Sequence, residues 1–312
     1  MNKDWFNSLS VKTTGNIKAF LKILEIDFKN IIKICVSGNS SRVTTITTLK
    51  ETLNLKKFHS GVIIFSNDEI TYKNRLIDDE SLEFHLGCIK TIQEENNLEI
   101  GKDEAFFLAG LNFFREQKAP IIIIEEAFDF IKDIDYNYYL DTDYSDDKSI
   151  YSYSRIDEKD VYIYPSELCS FSYINLDYDV LNYGSINALP YILGIYFINE
   201  VFPEIKPKRI RKIVNDIRPN LINERVNLNP RVIVNYIVND SDIVDVIDKF
   251  KQATNRKVIS VSNIESNSVD SIITDVNELT KIINNLDIND ILYIVFNKQF
   301  VKEIQSFFQK KV

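Results

Sequence analysis

Two hydrophobic patterns take turns along this chain. Continuous apolar runs of strand length occur at 31–36, 61–66, 120–124, 231–237, 257–261 and 291–296. A strand covered on one face alternates apolar and polar residues, whereas unbroken runs belong to strands covered on both faces. Between the runs, apolar residues recur every three or four positions, the spacing of one helix face. That spacing predicts helices over 16–28, 44–54, 78–96, 103–116, 184–200, 207–217, 241–254, 276–286 and 298–309. Asp78, Asp79 and Glu80 crowd one of these starts, where the helix dipole favours negative charge. Strands alternating with helices predict an α/β fold with a doubly wound sheet.

The pattern changes between Asp135 and Gly184, which hold eleven of the sixteen tyrosines among many aspartates. Alternation over 160–164 and 171–176 predicts short antiparallel strands on the surface of a small sheet, and 141–148 reads as a loop. A second α/β stretch follows and contains no glycine, the last being Gly194. The change in character places a domain boundary near 227–230, giving domains of 1–228 and 229–312.

Hydrophobic residues at 45% and charged residues at 27% are the proportions of a water-soluble globular protein. No apolar run reaches membrane-span length, and Met1-Asn2-Lys3-Asp4-Trp5 carries no apolar export segment, so no membrane partner and a cytoplasmic location are expected. A net charge of −9 and a pI near 5.0 argue against nucleic acid as a partner. The one basic run, Lys206-Pro207-Lys208-Arg209-Ile210-Arg211-Lys212, reads as the solvated face of a helix start. Cys35, Cys88 and Cys169 are odd in number and far apart, which supports neither a disulfide framework nor a zinc site. His59 and His85, the only histidines, leave little room for imidazole chemistry and read as surface or satisfied core residues.

Candidate chemistry begins where the first apolar run meets Ser37-Gly38-Asn39-Ser40-Ser41-Arg42-Val43-Thr44-Thr45. Strand, small-polar turn and helix make the local architecture of a phosphate-binding loop, in which backbone N–H groups and a helix N-terminus face an anion. Such loops use several glycines and a lysine. Here there is one glycine, and Arg42 stands at the lysine position. A plain buried strand-to-helix turn is the other reading.

Several segments, in order, resemble the folylpolyglutamate synthase/dihydrofolate synthase branch of the Mur ligase superfamily. Gly38-Asn39-Ser40-Ser41-Arg42-Val43-Thr44 stands at the place of G-T-N-G-K-G-S. Ile70-Thr71-Tyr72-Lys73-Asn74-Arg75-Leu76-Ile77-Asp78-Asp79-Glu80 is similar to I-R-I-N-G-x-x-I-S-D-E. Asp103-Glu104-Ala105-Phe106-Phe107-Leu108-Ala109 is similar to F-E-A-L-T-x-L, and Ile124-Glu125-Glu126 to the strand end L-E-V. Gly184-Ser185-Ile186-Asn187-Ala188 resembles G-x-H-Q-x-x-N-A, Arg218-Pro219-Asn220 sits at W-P-G-R, and 235–240 at D-G-A-H-N-P. The resemblance spans nearly the whole chain.

The resemblance implies a Mur-ligase-like central doubly wound sheet with a P-loop-type βα turn, followed by a smaller, Rossmann-like α/β C-terminal domain. It implies ATP-dependent joining of glutamate to a carboxylate through an acyl phosphate, with ATP and Mg²⁺ as cofactors and folate and glutamate as partners. Carried over residue by residue, it assigns Gly38, Ser41, Arg42, Thr44 and Thr45 to the nucleotide. Thr44, Glu104 and Glu125 go to the metal, with Glu125 the catalytic carboxylate; the other readings are a helix-start glutamate favoured by the dipole for Glu104 and a strand-end carboxylate facing solvent for Glu125. Departures are concentrated in the same places. Arg42 replaces a lysine with a larger, forked cation. Ser41 and Val43 replace glycines, and a β-branched residue is costly at positive φ. The family's metal-binding histidine has no counterpart, and Val238 stands where A-H-N has its histidine. Two functions remain open. One is a degenerate homologue whose ATP-dependent ligase activity is impaired or lost and which serves through a protein partner. The alternative is a working folylpolyglutamate synthase that adds L-glutamate to a tetrahydrofolate.

Overall fold

The structure is a computed structural model describing residues 2–11, 13–38, 41–54, 58–143, 145, 147, 149–164, 168–183, 187–217, 224–227, 230–237, 240–252 and 254–309. Contacts divide the chain into two compact units, Met1–Arg155 and Ile156–Val312. Position 228/229 lies inside the second unit. The motif segments at 184–186, 218–221 and 238–239 lie outside the described residues.

The first unit is a seven-stranded sheet flanked by helices α1 (Asn2–Ser8), α2 (Ile17–Ile23), α3 (Arg42–Leu53), α4 (Asp79–Asn96) and α5 (Lys102–Glu116). Its strands are β1 (Ile32–Ser37), β2 (Ser60–Ile64), β3 (Glu69–Tyr72), β4 (Arg75–Leu76), β5 (Ile121–Glu125), β6 (Tyr138–Asp141) and β7 (Ile150–Tyr151), in the order β4-β3-β2-β5-β1-β6-β7. β5 lies between β1 and β2, parallel to both, and every one of its residues is buried. That explains the unbroken apolar run, since each residue of a central strand meets packing on one face or the other. The β3–β4 hairpin turns on Lys73 and Asn74 at φ 53° and 60°, the left-handed pair a two-residue turn requires. α4 starts where its acidic residues predicted, with the Asp78 carboxylate accepting from the Ser81 backbone N–H at 2.7 Å.

The core of this unit gathers Phe20, Ile63, Leu86, Ile89, Phe107, Phe114, Ile122 and Ile124, with Phe65, Phe106 and Phe130 packed edge-on or tilted. Gly61 is required by this packing, because a Cβ there would lie 2.7 Å from the Phe114 ring. α3 departs from ordinary amphipathic helices. Thr44, Thr45, Thr47, Thr48, Lys50 and Thr52 are all buried. Thr47 and Thr48 satisfy their hydroxyls on the carbonyls of Val43 and Thr44, one turn back, at 2.8 and 2.9 Å. Lys50 reaches the Glu69 carboxylate at 2.9 Å.

The second unit carries β8 (Val161–Ile163), β9 (Leu168–Tyr173), β10 (Leu176–Tyr183), β11 (Glu224–Asn227), β12 (Arg231–Tyr236), β13 (Val258–Ser262), β14 (Ser271–Ile272) and β15 (Ile291–Phe296). They form one sheet, ordered β14-β13-β15-β12-β11-β10-β9-β8. Its helices are α6 (Ala188–Val201), α7 (Pro207–Asp216), α8 (Ile243–Gln252), α9 (Glu278–Asn284) and α10 (Val301–Gln309). β12 through β15 are parallel, and β8 through β11 form an antiparallel run that joins them through the β11–β12 pairing. The tyrosine-rich strands are therefore part of a larger sheet, not a small sheet of their own. The alternation over 171–176 also crosses a hairpin turn, because Ile174 and Asn175 sit at φ 47° and 58°. No helix among the described residues is long and apolar enough to cross a membrane.

Two predictions follow from the core. Replacing Gly61 by alanine overpacks the Phe114 contact and should cost about 1–3 kcal/mol, read as a lower urea midpoint at unchanged slope. His85, 2% exposed, accepts from Asn112 Nδ2 at Nδ1 (2.9 Å), which places the ring proton on Nε2 toward Glu116 at 3.6 Å. Burial pushes its pKa below the ordinary value of 6.5. The unfolded chain then binds the proton first as pH falls, so stability should drop as pH descends below about 6.5 and level off below the native value. His85→Gln should flatten that slope in thermal midpoints measured between about pH 7.5 and 5.5.

Candidate functional site

The site is built where β1, β2 and β5 end together with the start of α3, at the carboxyl edge of a parallel sheet where α/β folds place ligands. Gly38 follows β1 at φ +101°. A Cβ there would meet Asp141 Oδ1 at 2.8 Å and the Thr142 N–H nitrogen at 2.9 Å, so glycine is needed both for the turn and for the close wall. Asn39 and Ser40 lie outside the described residues. Ser41 precedes α3 with helical dihedrals, its carbonyl accepting from Thr44 N at 3.0 Å and Thr45 N at 3.3 Å, and its hydroxyl hydrogen-bonds Tyr153. Burial pushes the Tyr153 phenol up, which keeps it a neutral partner. Thr44 and Thr45 are 5% and 0% exposed.

Arg42, the first residue of α3, folds back over the turn. Its Nε donates to Glu125 Oε1 at 2.8 Å and its Nη1 to the Gly38 carbonyl at 2.8 Å. Glu125 ends β5 with no exposed surface, and its other oxygen, Oε2, accepts from the Ser66 N–H at 2.9 Å and the Ser66 hydroxyl at 3.1 Å. One buried carboxylate thus ties together the ends of β5 and β2 and the start of α3. Hydrogen bonds on both oxygens offset the cost of burying this carboxylate.

Both Glu125 oxygens are taken by protein donors, so a magnesium ion does not fit on this carboxylate as arranged. Mg²⁺ binds carboxylate oxygens at about 2.0–2.1 Å and keeps a near-octahedral shell. The guanidinium of Arg42 sits against Glu125 Oε1, where such a cation would have to be. The same side chain bonds the Gly38 carbonyl. Thr44 is packed inside α3. Among the described residues, no group of three or more His, Cys, Asp or Glu is arranged to hold a metal ion.

Glu104 belongs to a different cluster. It is 1% exposed, with Oε1 accepting from Thr14 N (2.9 Å) and Gly15 N (3.2 Å), and Oε2 from the Thr14 hydroxyl (2.8 Å) and Gly101 N (2.8 Å). It fastens the segment before α2 to the start of α5. Of the residues assigned from the resemblance, the structure therefore brings Gly38, Ser41, Arg42 and Glu125 into one network with Thr44 and Thr45 beside it, and sets Glu104 in a second network of its own. Sequence reasoning did not pick out Ser66, Tyr153, Asp141 or Thr142. Ser66 had a faint signal, as the polar residue closing an apolar run. The others come from the tyrosine- and aspartate-rich stretch, where pairing of β6 beside β1 delivers them.

No protein-family model matches the sequence, and no curated relative matches it. Solved structures do match across nearly the whole chain. Folylpolyglutamate synthetase from Lactobacillus casei superposes with a TM-score of 0.73 at 11% identity, covering 98% of each chain. A folylpolyglutamate synthase–AMPPCP–folate complex gives 0.74 at 12% identity, again covering 98% of each. The bifunctional folylpolyglutamate synthase/dihydrofolate synthase from Yersinia pestis, complexed with AMPPNP and Mn, gives 0.73 at 13% identity, covering 98% of this chain and 96% of that one. With its strand order, strand-to-helix turn and full-length superposition taken together, the chain has the fold of the folylpolyglutamate synthases.

Proposed function

We propose that this chain is a folylpolyglutamate synthase-like protein in which ATP-dependent ligase activity is impaired or lost. The observation that carries this reading is the Arg42–Glu125 ion pair with its Ser66 anchor. In a working ligase of this fold, the loop cation and the strand-end carboxylate act on the nucleotide and its metal. Here each satisfies the other. Acyl phosphate formation needs positive charge on the transferring group and an open cation site beside it. Arg42 is 16% exposed and Glu125 fully buried, so both groups serve as structure.

Nucleotide binding tests the reading directly. A working ligase at about 100-fold over its dissociation constant would gain about 2.7 kcal/mol from the ligand, a plain upward shift in thermal midpoint. The expected outcome is no shift with millimolar Mg-ATP, and no ATP consumed when a folate and glutamate are added. Turnover that depends on both would overturn the proposal in favour of the working synthase.

Stability gives a second test. Removing one member of a buried ion pair costs about 3–5 kcal/mol because the other charge is left unpaired. Glu125→Gln keeps some hydrogen bonds, and Arg42 retains some solvent, so a loss of about 3 kcal/mol is expected by urea unfolding. Adding Arg42→Met to Glu125→Gln should cost less than the sum of the single changes. A ligase that relied on these groups for chemistry would instead lose turnover with little change in stability.

A further inference from the structure

α7 breaks a rule that α4 and α5 obey. Those helices begin with carboxylates at the positive end of the dipole. α7 begins with Lys206 at its N-cap, Pro207, Lys208 and Arg209, with no acidic residue in the first turn. Each cation there is disfavoured by about 0.3–1 kcal/mol at low ionic strength. Ile210 and Val214 are buried, which fastens the helix by that side. Lys206, Lys208, Arg209, Arg211 and Lys212 are all exposed. At 100° per residue, 208, 209, 211 and 212 lie on one arc opposite the buried pair, which they share with a single exposed carboxylate, Asp216. Among the described residues, Lys206, Lys208, Arg211 and Lys212 form no ion pair. The chain as a whole carries −9. Exposed cations at Lys208, Arg211 and Lys212 that form no ion pair among the described residues stand out on an acidic protein.

We propose that the exposed face of α7 docks an acidic peptide segment of a partner protein. The complement must be anionic, and the shape of the face narrows its class. Lys208 to Lys212 span only about 6 Å of helix. That length matches carboxylates at i, i+3 and i+4 of one short segment, facing Lys208, Arg211 and Lys212. It is too short for the six to ten phosphate contacts that give nucleic-acid binding its strength. The face offers no aromatic side chain on which an unpaired base could stack. Its apolar residues are turned inward, so there is nothing to insert into a lipid surface. Charge pairing at an exposed face gives fast, salt-sensitive association, with specificity set by the spacing of the cations.

The test uses the full chain and an acetylated oligo-glutamate peptide of about ten residues, with binding followed by fluorescence anisotropy at low and physiological salt. The wild type should bind, and affinity should fall as salt is raised. Lys208→Glu/Arg211→Glu/Lys212→Glu should weaken binding by about ten-fold or more, while Lys281→Glu, an exposed lysine on α9, should leave it unchanged. Far-ultraviolet circular dichroism of the triple variant checks that it is folded, and single reversals replace it if it is not. Equal loss in the Lys281 control, or no peptide binding by the wild type, overturns the proposal. So does tighter binding of duplex DNA or phosphatidylserine vesicles through the same residues. Self-association of the wild type that vanishes in the triple variant would assign the face to a second copy of the chain and likewise overturn it. None of these outcomes depends on whether the loop at Arg42 binds nucleotide.

Discussion

A carboxylate with no exposed surface has to be paired or protonated, and the first unit is arranged around the way Glu125 is paired. Desolvating an ion costs several kcal/mol even after relaxation, which only good geometry can offset. Arg42 supplies the charge, and the Ser66 N–H and hydroxyl fill the remaining acceptor positions. Because those donors come from α3 and from the end of β2, the pairing also fixes where the turn after β1 must lie. The Gly38 carbonyl is drawn into the same network by Arg42 Nη1. Arg42 thereby links the Gly38 carbonyl to the Glu125 carboxylate.

The neighbourhood of this pair is polar yet closed. α3 buries threonines along most of its length and satisfies two of them on its own backbone. Asp141 and Thr142 crowd Gly38, and Tyr153 hydrogen-bonds Ser41, so β6 and the segment after β7 wall the turn. Glu104 shows the same economy in a second place. Its four accepted hydrogen bonds join the chain near Thr14 to the start of α5, a capping role taken by a residue that the family resemblance gives to a metal. Both carboxylates that the resemblance would give to a metal have partners drawn from the protein itself.

In the tyrosine-rich middle of the chain the expected short antiparallel strands are present as β8 and β9. Alternation over 171–176 looked like a strand, yet Ile174 and Asn175 form the turn between β9 and β10. A β-branched residue at positive φ is not a signal that propensity can supply. The expected boundary near 228 came from a change in glycine content and pattern. In the structure β11 and β12 pair on either side of it, and by contacts the compact units are Met1–Arg155 and Ile156–Val312.

The sequence by itself determined the alternating elements, the central strands and the strand-to-helix turn. These depend on period and run length, which are local properties: the apolar run at 120–124 became β5, and Asp78 capped α4. It also determined the order of segments that resemble folylpolyglutamate synthase, and full-length superposition on those structures agrees with it. Only the tertiary structure decided which way Arg42 turns, that Ser66 completes the pairing of Glu125, and that Glu104 is committed elsewhere. Each of those facts joins residues tens of positions apart, and a one-dimensional pattern carries no record of which donors will meet a buried carboxylate once the sheet has formed.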